Sequence, residues 1–130
     1  QYYQLCYMLG DGTMKKHARH RGIDFAQKVK FREHSKASIA ECERKFSIYE
    51  KVIAEVLKGM RTDLGMTQEE FAEKCGLHPT ACSRMENCKR EPYLRPLFKV
   101  SFYTDIKLSA LLQEVERLVD AFEKLDGKNE

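Results

Sequence analysis

Residues 67–85 read TQEEFAEKCGLHPTACSRM, and this stretch decides the fold. Thr67 is a natural N-cap, and Glu70 three positions later completes a capping box. Apolar Phe71, Ala72 and Cys75 then share one helical face. Gly76 follows, where a left-handed residue ends a helix. His78 offers a cap for a second helix, and Pro79 suits its first turn, where a missing N–H costs nothing. Cys82 and Met85 turn that helix back onto the first, and Ala72 is small where the two must cross. The spacing therefore predicts two short helices joined by a tight turn, a helix-turn-helix.

Upstream, Ser47 and Glu50 have capping-box spacing, and Ile53, Val56, Leu57, Met60 and Leu64 form an amphipathic stripe ending near Gly65. Residues 38–44 read as a separate short helix, with Ser38 and Glu41 as its own capping box. Downstream, ENCKREP is a polar turn closed by Pro92. Residues 93–103 read as a fourth helix with Leu94, Leu97, Phe98 and Phe102 towards the core and Pro96 in its first turn. Leu108, Leu111, Val115, Leu118, Phe122 and Leu125 then recur at heptad spacing, and Leu112 and Val119 widen that seam. Such a stripe suits a dimerisation helix; the alternative is a fifth helix covering the monomer's own core. The fold expected is all-α: a five-helix domain with a basic N-terminal extension and a C-terminal dimerisation helix. The boundaries expected are 1–46 for the extension, 47–107 for the helix-turn-helix domain and 108–130 for the terminal helix and tail.

The 130 residues allow one modest core, and 33% charged with 42% hydrophobic residues is ordinary for a globular chain. No apolar stretch approaches spanning length, so no membrane role is expected, and no signal peptide is read at the start. Five scattered cysteines make a disulfide framework an unattractive reading and favour a reducing cytoplasm. The net charge of +3 decides little, but its distribution is uneven. Residues 14–36 hold eight basic residues against Asp24 and Glu33, whereas residues 109–130 hold three basic and six acidic ones. A polyanion facing the basic end is one reading, and a solvated basic arm is the other. The chain opens on Gln1, not Met, and Met14 is an alternative start.

From 60 to 92, MRTDLGMTQEEFAEKCGLHPTACSRMENCKREP resembles the helix-turn-helix domain of the phage repressor and Cro superfamily, often called Xre-like. Thr67–Gln68, Phe71–Ala72, Gly76, apolar Cys82 and Glu86 carry the resemblance. It implies that residues 79–87 lie in the major groove of double-stranded DNA, with Pro79, Thr80, Ser83 and Arg84 at base edges. Arg84 is the best base reader, because its fork matches O6 and N7 of guanine. The resemblance also implies that Gln68 clamps a phosphate and that Asn87, Lys89 and Arg90 hold the backbone. Thr67 and His78, at the helix starts, complete the DNA-facing set. Arg61 and Glu86 match a structural ion pair. Three departures stand out. Cys88 replaces a usual glycine, so Asn87 is the candidate for the left-handed position. Pro79 removes a side chain that often contacts bases, and Thr104 replaces a usual leucine.

Cys75, His78, Cys82 and Cys88 are close enough in sequence to suggest zinc, but Cys75 and Cys82 fall at core positions, so no metal or cofactor is expected. His17 and His20 have no further ligand nearby. Redox sensing through Cys42 or Cys88 has no support beyond the thiols themselves. With no nucleophile–base pair, paired carboxylates or glycine-rich phosphate loop, catalysis is not expected. The function expected is a sequence-specific DNA-binding transcriptional regulator, a homodimeric repressor. The alternative is an antitoxin that binds a protein toxin and autoregulates its operon.

Overall fold

Ser35 begins the main body of the protein. Its hydroxyl accepts from the Ser38 N–H at 3.1 Å, and the Ser35 N–H donates to the Ser38 hydroxyl at 3.0 Å. This reciprocal cap satisfies donors that the first turn leaves orphaned. The computed structural model describes residues 25–89 and 94–127. Among these are six helices and no strand: α1 (Phe25–Lys28), α2 (Lys36–Asp63), α3 (Gln68–Lys74), α4 (Ala81–Glu86), α5 (Leu94–Thr104) and α6 (Leu108–Asp126). The chain divides into two units, Gln1–Glu33 and His34–Glu130. The first contributes only α1 to the described residues; the basic arm, His17 and His20 lie outside them. The all-α fold follows the sequence expectation.

The 28-residue α2 merges what sequence spacing separates into two helices, and the expected boundary between 46 and 47 falls in its interior. No proline or glycine interrupts residues 36–58, so once Ser35 has nucleated the helix it propagates through Ser38 and Ser47. Ser38 lies in the first turn as the inner half of that cap and Ser47 is interior, so neither is the N-cap. Arg44 pairs with Glu123 of α6 at 3.5 Å, and burial together with Glu116, Asp120 and Glu123 raises the Tyr49 phenol above its ordinary value. The long helix is thus braced along its upper half by α6 running antiparallel to it.

Three helices end alike. At the end of α2 the Gly65 N–H donates to Thr62 O and the Met66 N–H to Arg61 O, with Gly65 at φ 67°. At the end of α3 Gly76 donates to Glu73 O and Leu77 to Ala72 O, with Gly76 at φ 63°. The end of α4 repeats the pattern, Cys88 donating to Met85 O and Lys89 to Arg84 O. Each is a Schellman motif turning on a left-handed residue. In the third that residue is Cys88 itself, at φ 53°, and Asn87 stays at −93°. The expectation that Asn87 takes the strained position is therefore corrected: the bond pattern fixes which residue turns, and Cys88 occupies it.

Ile53, Leu57, Phe71, Ala72, Cys75, Cys82, Met85, Leu97, Val100, Leu111, Val115 and Val119 form one buried cluster drawn from α2 to α6. Two sequence expectations change here. In α5 the inward face is Leu97, Val100 and Ser101, while Leu94, Phe98 and Phe102 are exposed. The inward face is narrow enough to end in small polar residues that bond the local backbone, Ser101 to Ile106 O at 2.5 Å and Thr104 to Val100 O at 2.6 Å. In α6 Leu111, Val115 and Val119 are buried against the chain's own core, so they are not available to a second copy. Leu108 and Leu118 are half-buried, and Leu112, Phe122 and Leu125 remain exposed.

Candidate nucleic-acid interface

Thr67 caps α3 as its sequence implies: its hydroxyl accepts from the Glu70 N–H at 3.2 Å, and its own N–H donates to the Glu70 carboxylate at 2.9 Å. Phe71, Ala72 and Cys75 are all buried, which seats α3 on the core and leaves Ala72 at the crossing with α4. Tyr103 closes on the intervening turn, its ring 3.2 Å from where a Cβ on Gly76 would sit, and Lys99 donates to Gly76 O at 3.1 Å. Only glycine suits that position on both counts, conformation and space. Neither contact has a sequence signal, because α5 meets the turn through tertiary packing alone.

The second helix starts later than proline chemistry suggests. Residues 79 and 80 form a turn, and α4 begins at Ala81 with Thr80 as an N-cap whose hydroxyl makes no capping bond and bonds His78 Nδ1 at 2.9 Å instead. His78 still acts at this entry: Ala81 N–H donates to His78 O at 2.8 Å and Thr80 N–H to His78 Nδ1 at 3.3 Å. Cys82 and Met85 are buried, which turns Arg84 outward. His78, Pro79, Thr80, Arg84, Asn87 and Lys89 are all exposed, while Ser83 is half-buried and bonded by the Asn87 amide, at 2.8 Å to its carbonyl and 3.3 Å to its hydroxyl. Arg90 lies outside the described residues.

Behind this face is a buried electrostatic clamp. Glu86, its side chain 6% exposed, accepts from Arg61 Nε at 2.6 Å, from Arg61 Nη2 at 3.2 Å and from Gln68 Nε2 at 2.6 Å. Arg61 also donates through Nη1 to Met66 O at 2.9 Å. One carboxylate therefore locks the end of α2, the α2–α3 turn, the start of α3 and the last turn of α4. Burial pushes the Glu86 carboxyl up, but the bonds from Arg61 and Gln68 and the Arg61 charge outweigh it and hold the group below its ordinary value. The Arg61–Glu86 pair stands where sequence placed it. Gln68 departs from expectation in that one amide hydrogen is committed to Glu86, a contact between residues 18 apart that no local pattern signals.

Cys75 and Cys82 are core residues, and burial pushes the Cys82 thiol up to about 11. Among the described residues no three His, Cys, Asp or Glu side chains gather as a metal site, and no helix is long and apolar enough to cross a membrane.

Two short crossed helices, a glycine turn and an outward basic face braced from behind define a DNA-binding helix-turn-helix regulator. Residues 57–111 match the helix-turn-helix family, whose Xre/Cro-like members are DNA-binding domains and not generally enzymatic. The matched span runs from the last turns of α2 to the start of α6. No curated protein and no solved structure matches the chain.

Proposed function

We propose that the protein is a cytoplasmic, sequence-specific repressor that binds double-stranded DNA as a homodimer, each copy presenting α4 and its leading turn to the major groove. The observation that carries this is the outward face of Thr80, in the leading turn, and Arg84, on a helix whose other side is fixed by Cys82, Met85 and the Glu86 clamp. A reading head must be rigid to discriminate, because misplaced donors cannot reach two acceptors on one base edge. Arg84 reads guanine and Thr80 contacts an adjacent base or a thymine methyl. Ser83, committed to Asn87, contributes less. The second hydrogen of the Gln68 amide, with Lys89, Arg90 and Asn87, serves the phosphates and sets the salt dependence. Pro79 and His78 shape the approach of the chain to the groove, and Thr67 keeps its hydroxyl for capping.

Selection of bound duplexes from a random library at fixed salt tests the reading. A repressor of this kind enriches a two-fold symmetric site with half-sites about 10 base pairs apart centre to centre. Failure to enrich any sequence refutes specific binding. A stoichiometric foreign protein recovered by pull-down would instead support the antitoxin reading.

A further inference from the structure

Three helices end around one cavity. The last turn of α2 gives it Met60, Asp63 and Leu64, the end of α3 gives Phe71, Lys74 and Cys75, and the end of α5 gives Tyr103 and Thr104. Its volume of about 470 Å³ falls within the span of about 300–1,000 Å³ that small-molecule sites occupy. The floor is apolar, with Phe71 and Cys75 buried and the adaptable thioethers of Met60 and Met66 beside them. The Thr104 hydroxyl is spent on Val100 O and Ser101 O, so it offers no donor to an occupant. Asp63 and Lys74 are exposed, and among the described residues neither is in an ion pair.

We propose that this cavity is a binding site for a small lipophilic organic cation, its aliphatic or aromatic body inside and its ammonium group at the edge beside Asp63. The walls choose the body: apolar side chains, with Thr104 committed elsewhere, recognise shape more than a pattern of hydrogen bonds. The helix ends choose the charge. A helix concentrates partial negative charge in its last turn, so three such ends around one space favour a cation there and disfavour an anion. Asp63 adds a full carboxylate to that field. Lys74 is the opposing charge, but its long stem lets the ammonium head stay in water while the chain covers apolar surface. Phe71 and Tyr103 supply aromatic rings, and cations are drawn to ring faces. No residue of α4 lines the cavity, so an occupant does not compete for the reading face. Two of its walls nevertheless touch what holds that face: Tyr103 packs on Gly76, and Met66 O anchors Arg61 of the Glu86 clamp.

A matched series tests this without DNA: phenylpropylammonium, phenylpropanol and phenylpropanoate, each titrated into the full chain and followed by the methyl NMR signals of Met60 and Met66. The ammonium compound is expected to shift both signals with a dissociation constant below about 1 mM, reasonable for a ligand of about ten non-hydrogen atoms. The alcohol should bind about threefold and the carboxylate about tenfold more weakly. Asp63→Asn, at an exposed position, is expected to weaken the ammonium compound about threefold and leave the alcohol unchanged, whereas Lys74→Gln should tighten the ammonium compound. Asp120→Asn, on the acidic surface of α6, should change neither. Methionine signals that stay still up to about 10 mM, equal affinity across the series, or tighter binding of the carboxylate would each overturn the proposal. A response to Asp120→Asn in place of Asp63→Asn would overturn it too, as loose attraction to an acidic helix. Because no duplex is present, a failure here leaves the repressor reading untouched, and a chain that enriches no DNA sequence leaves the cavity standing.

Discussion

Removal of the Glu86 carboxylate is the sharpest test of how the reading head is held. Glu86→Ala strips the acceptor of three hydrogen bonds at a side chain only 6% exposed. Arg61 keeps Met66 O, but its Nε and Nη2 and the Gln68 amide lose their partner. Breaking one side of a buried pair costs about 3–5 kcal/mol, because a charge is left behind without compensation. The surviving Met66 bond places this site near the lower end, at about 3 kcal/mol. With a urea slope of about 2 kcal/mol per molar, the midpoint falls by about 1.5 M in equilibrium unfolding followed by far-UV circular dichroism. Replacing both partners, Arg61→Met with Glu86→Leu, should cost less than the two single changes summed, since no charge is stranded. Acidification adds an internal control. The folded carboxyl lies below its ordinary value of 4.5, so its stabilisation is present above 4.5 and is lost as pH falls through the lower folded value. The gap between wild type and Glu86→Ala should therefore narrow on acidification. A loss under about 0.5 kcal/mol, strict additivity, or a gap independent of pH would refute the clamp.

Other consequences are equally open to measurement. Cys88→Gly removes a side chain from a left-handed position and should raise stability by about 1 kcal/mol in urea; a decrease would contradict the strain assigned there. Cys42 and Cys88 are exposed, whereas Cys75 and Cys82 are buried with thiols pushed up, so iodoacetamide at neutral pH should label the first pair and spare the second by peptide mass spectrometry. Lys89→Ala should weaken binding to all duplexes alike and lower the slope of log affinity against log salt by about one; a sequence-dependent loss would make Lys89 a base reader.

The helix-turn-helix was legible because its signals are local. Thr67 and Glu70 cap across one turn, Gly76 can be left-handed at no cost, and Phe71, Ala72, Cys75, Cys82 and Met85 repeat at helical spacing. Arg61–Glu86 was legible only through the family resemblance, since 25 residues separate the pair. Much of what local spacing misplaced depends on partners distant in sequence, but the long helix does not: Ser38 and Ser47 look like caps, yet the Ser35–Ser38 box starts α2 earlier and no proline or glycine stops it before Gly59. The aromatic weight of Phe98 and Phe102 pointed α5 the wrong way round, because its inner face needs only Leu97, Val100 and two small polar residues. The heptad of α6 was real, yet half of it serves the chain's own core.

Arg84 carries the central claim, and fluorescence anisotropy of wild type and Arg84→Ala on the selected duplex and on a random duplex, at one salt concentration, tests it most directly. Wild type should bind the selected duplex at least about a thousandfold more tightly than the random one. Arg84→Ala should lose about 1–3 kcal/mol on the selected duplex and almost nothing on the random one. Equal losses on both duplexes, or no wild-type preference between them, would contradict the assignment of this face as the one that reads sequence.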